Sequence, residues 1–297
     1  MRADEKFGNL NKSFWAHVRS ISEAQGYTDR KTKSIKTLNA AGIRKAFVKL
    51  GLSCEHLFNG NQLNPDGQLL CDYFEYRADL LNNQVQRLLM DAAAAEKLYT
   101  DLRAELKPSI LPVMNKQKGD KQRPAYLTGI VNMLVEQQVG QDFDWNPGQL
   151  TTFTNSSMPL RTLSRRVDGA YPTVVNPLAI WEIKEYYHTT TFGSRVADGV
   201  YETLLDGMEL SEMREHTGHD AEHVLILDAH FTWWQCGRSY LCRIIDMLNM
   251  GYVDEVIFGR EVLDRVPVLA AEWVKRKANV KPEPVLTVPA AGTRWAR

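Results

Sequence analysis

The sequence predicts an α/β (α+β) protein: a central mixed β-sheet flanked by helices, preceded by an N-terminal α-helical region. Three observations carry this reading. Apolar residues in the first third recur at helical spacing. Further on, strand-like runs alternate with helical ones, the order of a sheet covered by helices. "HVLILDAHF", 223 to 231, is an unbroken apolar run, as a central strand buried on both faces should be.

Taken in order, "KSFWAHVRSISEA" places Phe14, Val18 and Ile21 near one helical face. "SIKTLNAAGIRKAFVKLGL" carries Ile35, Leu38, Ile43, Phe47 and Leu50, and stops at Gly51. After the turn residues of "NGNQLNPDGQ", the Ala-, Leu-, Glu- and Arg-rich run from Leu69 to Leu106 predicts one long helix, closed by Pro108 and Pro112. The polar "NKQKGDKQRP", 115 to 124, divides a helical region, 1–115, from a core, 116–280. That core opens with a helix from Tyr126 to Val139 and a loop, "GQDFDWNPGQ". "PLRTLSRRVDGAYP" and "LAIWEIKEYY" follow as two strands joined through Pro172 and Pro177. "SRVADGVYETLLDGMEL" and "RSYLCRIIDMLNMG" read as helices on either side of the central strand, and "VDEVIFG" as a short strand. "REVLDRVPVLAAEWVKRK" is a helix interrupted at Pro267, and the Pro-rich tail 281–297 is flexible.

Composition narrows the classes. A chain that is 44% hydrophobic and 24% charged has the make-up of a soluble globular protein rather than a disordered one. No run approaches the ~20 apolar residues of a membrane span, and the first residues lack the apolar core of a signal peptide. Four scattered cysteines make no disulfide framework. The expectation is a cytoplasmic protein with no membrane partner. Basic and acidic residues balance at 36 each, so a nucleic-acid site must rest on local clusters. There is no Gly-rich phosphate loop, hence no nucleotide cofactor, and no Gly-x-Ser-x-Gly elbow.

The chemistry concentrates in "AIWEIKEYY", 179 to 187, where charges stand in an otherwise buried strand. Residues two apart share a strand face, so Glu182 and Lys184 lie on one side and Ile183 and Glu185 on the other. A bend or an antiparallel neighbour brings Asp168 of "RRVDGAYP" beside Glu182. Two close carboxylates repel unless a cation joins them. Hard oxygens of this kind suit Mg²⁺, and a lysine in the cluster can orient a water and balance charge at phosphorus.

Asp168, an intervening loop, and Glu182-Ile183-Lys184 on a strand resemble the PD-(D/E)XK nuclease superfamily, the fold of most type II restriction endonucleases. The resemblance runs from about residue 125 to 265 and includes the family's order of helix, Asp strand, Glu-x-Lys strand, helix and strand. Glu136 matches an acid that members often carry on the first helix, whereas Val167 stands where the family name has proline. The resemblance implies a restriction-endonuclease-like core that cuts double-stranded DNA with Mg²⁺, Mn²⁺ substituting. Asp168, Glu182 and the backbone carbonyl of Ile183, with Glu136, would hold the metal, and Lys184 would orient the water. It also implies a homodimer, with the helical region serving recognition or dimerisation. A phage-defence effector, a repair or structure-specific nuclease, and a non-catalytic DNA-binding protein are the alternatives.

Three basic clusters offer phosphate contacts or plain solvated surface: Arg30, Lys31, Lys33 and Lys36; Lys116, Lys118, Lys121 and Arg123; and Arg161, Arg165 and Arg166. Ser194 and Arg195 begin a helix whose N–H groups favour phosphate. His216, His219 and His223 hint at zinc only weakly, and Trp233 and Trp234 suit packing better than base stacking.

Overall fold

The computed structural model describes residues 1–279 apart from 9, 30, 116–118, 120–121 and 189–192. The expectations for Arg30, Lys116, Lys118, Lys121 and the tail 281–297 lie outside the described residues.

Asparagine side chains start the first three helices. Asn11, Asn39 and Asn64 accept from backbone N–H groups of α1 (Lys12–Gln25), α2 (Ala40–Leu50) and α3 (Pro65–Asp79). A two-stranded ribbon, β1 (Phe58–Asn59) with β2 (Gln62–Leu63), links the last two. α3 passes through a π-helical stretch, Leu80–Val85, into the short α4 (Gln86–Leu88). The expected single helix then breaks. Asp91 caps α5 (Ala92–Leu106) by accepting from Ala94 N, and Met90 N donates to the buried Asp228 carboxylate at 2.7 Å. Both contacts need extended backbone where composition favours helix. α5 packs along α6 (Tyr126–Val139), with the Tyr99 ring so close to Gly129 that a Cβ there would lie 2.4 Å away. The expected division near 115 thus falls between two helices that share a core.

The sheet is mixed, as expected. β5 (Gly169–Tyr171) pairs antiparallel with β6 (Ala179–Glu185), which pairs parallel with β7 (Glu222–Asp228), which in turn pairs parallel with β8 (Glu255–Phe258). The run "PLRTLSRRVDGAYP" does not form one strand. Its first half is strand β4 (Met158–Thr162), hairpinned to β3 (Thr152–Asn155), and 163–168 is a loop leading into β5. The parallel pairs require crossovers, supplied by α7 (Ser194–Thr217) and α8 (Arg238–Asn249). α9 (Val262–Asn279) runs through Pro267 without the expected interruption, although a proline inside a helix removes one helical bond.

Side chains of α5, α6, α9 and β6 fill one core, and those of α7, α8, β7 and β8 with residues from 35 to 89 fill another. A third, aromatic-rich core joins α1, α2 and α3. The helical region is tied to the sheet layer by a buried ion pair, Arg77 with Asp246 at 2.8 Å. β6 lies between the first two layers and is buried on both faces except at its last residue.

Candidate functional site

Strand geometry brings the expected acids and the lysine together. Extending the β5–β6 register by one residue sets Asp168 opposite Glu182, and Asp168 N donates to Trp181 O at 3.1 Å. Gly169 makes this possible. The Trp181 indole lies over it, and a Cβ at 169 would come within 2.2 Å of the ring. The Asp168 carboxylate turns back to accept from Ile183 N at 2.7 Å. N–H and C=O of one residue leave a strand on the same side. The Ile183 carbonyl therefore faces the same edge, beyond the last paired residue of β5.

Lys184 Nζ lies 3.0 Å from Glu182 and 2.8 Å from Glu202 of α7. A guanidinium from the 163–168 loop completes the cluster. Arg165 donates to both Glu182 oxygens, at 2.7 and 3.1 Å, and reaches Asp206 of α7 at 2.5 Å and Glu202 at 3.4 Å. Asp206 is fully buried, and among the described residues its Oδ1 has no hydrogen-bond partner. α7 carries it in close because Gly207 lets the helix touch the backbone of Tyr252, where a Cβ would meet the carbonyl at 2.2 Å.

Electrostatics sort these groups. Burial raises the Glu182 carboxyl, but Lys184 and Arg165 outweigh it and hold it below the usual range. Burial, with the Glu182 charge adding to it, pushes Asp168 up to about 6 and Asp206 up to about 7. Burial disfavours the Lys184 ammonium, yet Glu182 and Glu202 reverse this and hold its proton more tightly than in water. Four carboxylates facing two cations leave a surplus of negative charge when all are ionised. A hard cation relieves such a surplus. Among the described residues, no three His, Cys, Asp or Glu side chains converge on one metal position. The donors fit a cation held by one or two carboxylates, as Mg²⁺ is held, better than an all-protein cage.

Other sequence candidates fall elsewhere. Glu136 receives Ser109 N at 3.0 Å near the far end of α6, roughly 13 Å along the helix from Leu127 at 1.5 Å per residue. The acid at the near end of α6 is Glu185, which accepts from Leu127 N at 2.6 Å and, through burial, is pushed up to about 7. Arg161 is paired with Glu209 and Glu212, while Arg166 and Arg123 are exposed. Ser194 and Arg195 form the first turn of α7. His216, His219 and His223 each bond a different backbone carbonyl, so they do not gather. Trp233 is buried and donates to Lys184 O at 3.3 Å, which packs it beneath the strand. The sequence reading missed Glu202 and Asp206, although their four-residue spacing on the helix after the Glu-x-Lys strand is a readable sign of one acidic face.

A family model described as a domain of unknown function, DUF7687, matches residues 90–273. The chain belongs to that family. A second, described as the domain of unknown function DUF7690, matches residues 1–84. None of the curated proteins matches the chain, and none of the solved structures does. The DUF7687 segment carries the whole acidic cluster and begins at Met90, beside the break between α4 and α5. Among the described residues, no helix is long and apolar enough to cross a membrane.

Proposed function

We propose that the chain is a Mg²⁺-dependent endodeoxyribonuclease with a restriction-endonuclease-like core, hydrolysing phosphodiester bonds of double-stranded DNA. The role proposed for it is that of a sequence-specific type II restriction enzyme, acting as a homodimer in the cytoplasm. One observation carries this reading: Lys184 Nζ stands 3.0 Å from Glu182 on one face of β6, with Asp168 bonded to the amide of Ile183 between them. The order α6, β5, β6, α7, β7 supports it as well.

Asp168, Glu182 and the Ile183 carbonyl would hold the metal, which when bound supplies Lewis-acid polarisation of the phosphate and a more acidic water. The chain's own groups do the rest. Lys184 holds its proton tightly, so it serves as a fixed cation and hydrogen-bond donor to the attacking water or the phosphoryl oxygen rather than as a base. Packing of Trp233 and the β6–β7 ladder leave its backbone no freedom to drift. The test is Mg²⁺-dependent digestion of defined DNA with mapping of the ends. Lys184→Ala should lower the cleavage rate by about a hundredfold or more, and cleavage at the parental rate would refute the assignment. Discrete fragments indicate restriction, a smear a phage-defence effector, and preference for forks or nicks a repair enzyme.

A second reading has its own observation. Arg165 occupies both Glu182 oxygens, as expected of a DNA-binding protein without catalysis whose acids are purely structural. EDTA-resistant DNA binding, with no cleavage at any Mg²⁺ or Mn²⁺ concentration, would favour it.

A further inference from the structure

Nη1 of Arg165 lies 2.7 Å from Glu182 Oε1 and 2.5 Å from Asp206 Oδ2. It is one positive point held between two carboxylate oxygens from different elements, β6 and α7. Mg²⁺ in that position would draw the same two oxygens closer, to about 2.0–2.1 Å. The carboxylates are deeply buried, while Arg165 is partly exposed, with 22% of its side chain accessible. A buried carboxylate normally satisfies both oxygens, yet among the described residues Asp206 Oδ1 has no partner. The guanidinium satisfies only part of what Asp206 offers.

We propose that Glu182 and Asp206 form a position for a hard divalent cation, Mg²⁺ or Mn²⁺, and that Arg165 is the intramolecular cation that fills it until the metal displaces it. The proposal rests on reading the acidic centre as a cation site and adds two residues to that reading: Asp206 as a ligand and Arg165 as a competitor. Arg165 has somewhere to go. Its side chain reaches solvent and stems from a loop rather than from a strand. Its neighbour Ser164 keeps the loop fixed by donating twice to Glu209, through N at 2.9 Å and Oγ at 2.6 Å. The exchange therefore needs rotation of one side chain, with no rearrangement of the sheet.

The experiment is direct Mn²⁺ binding to the full chain, read by calorimetry and by the loss of the free-ion electron paramagnetic resonance signal. Arg165→Gln should bind Mn²⁺ at least tenfold more tightly than the parent, because the competitor is gone. Asp206→Asn should bind at least tenfold more weakly, and the double variant should lose the gain. Arg165→Lys keeps a competing charge and should stay within a few-fold of the parent. Circular dichroism melts of each variant confirm that folded protein is being compared, and the two Arg165 variants decide the matter should Asp206→Asn fail to fold. Equal affinity in parent, Arg165→Gln and Asp206→Asn would overturn the proposal, as would no Mn²⁺ binding by any of them. The nuclease reading fails separately. Mn²⁺ binding that Asp206→Asn leaves unchanged, with intact DNA cleavage, counts against this proposal alone, whereas Asp206-dependent Mn²⁺ binding without any cleavage counts against the nuclease alone.

Discussion

Arg77 and Arg165 both carry a guanidinium inward to meet carboxylates, but the surroundings they meet differ. Arg77 of α3 is 1% exposed and faces one acid, Asp246 of α8, which also accepts from Tyr73 OH at 2.6 Å. Phe74 lies against the guanidinium, 4.5 Å from its ring centre. Charge there is balanced one to one and sealed by aromatic rings. Arg165 is partly open to water and is outnumbered by acids from β6 and α7. Among the described residues each cluster has one buried unpaired atom, and their signs differ: Arg77 Nε is a spare donor, Asp206 Oδ1 a spare acceptor. Only the second has the sign that attracts a cation. A balanced, closed pair reads as a fastening between two parts of the fold, and an unbalanced, half-open one as a site.

The sharpest way to break this contrast is Arg77→Met. It strands Asp246 as a buried charge and should cost about 3–5 kcal/mol in urea unfolding. A loss under about 1 kcal/mol would mean that the pair fastens nothing.

Asp228 sharpens the comparison as a buried acid with neutral donors: Met90 N, Ala229 N and Tyr187 OH. Burial pushes its carboxyl up to about 6 from an ordinary 3.8. The folded state therefore binds the proton more tightly than the unfolded one, and this group's contribution to stability falls as pH rises from about 4 to 6. Asp228→Asn preserves the acceptor for both amides. The parent should lose up to about 3 kcal/mol relative to it across that window, at 1.36 kcal/mol per pH unit. Parallel stability curves for the two proteins would contradict the assignment.

The smallest effect expected is Asp206→Asn. Its carboxyl is raised to about 7, so its ionised form costs stability as pH rises through 4 to 7. Removing that charge, less the lost bond to Arg165, should raise metal-free stability at pH 8 by about 1 kcal/mol and leave it unchanged at pH 4. Asp246→Asn should lower stability at both values. Thermal melts that move in the same direction for both variants would erase the distinction between fastening and site.

How legible this was in the sequence depended on where the deciding contacts lie. α6, expected at roughly Tyr126 to Val139, was legible because its apolar spacing is a local signal. The break before α5 was not, since it depends on Asp228, far along the chain, holding Met90 N. The β3–β4 hairpin escaped notice because Ser156 and Ser157 turn it with positive φ where Asn-Gly would have announced it. At the site, period-two alternation sufficed to place Glu182 with Lys184 and to turn Glu185 away, toward the N-terminus of α6. Asp206 and the guanidinium that meets it belong to different elements, and no spacing rule within one element pairs them.

Arg165 stands three residues before Asp168, in a loop held by Ser164 at one end and by the β5–β6 ladder at the other. A competitor built into the chain cannot be diluted or dialysed away. A cation entering between Glu182 and Asp206 meets an affinity scaled by the fraction of molecules whose guanidinium has swung out. The free-ion concentration that half-fills the site is then set by the depth at which one side chain rests as well as by the carboxylates.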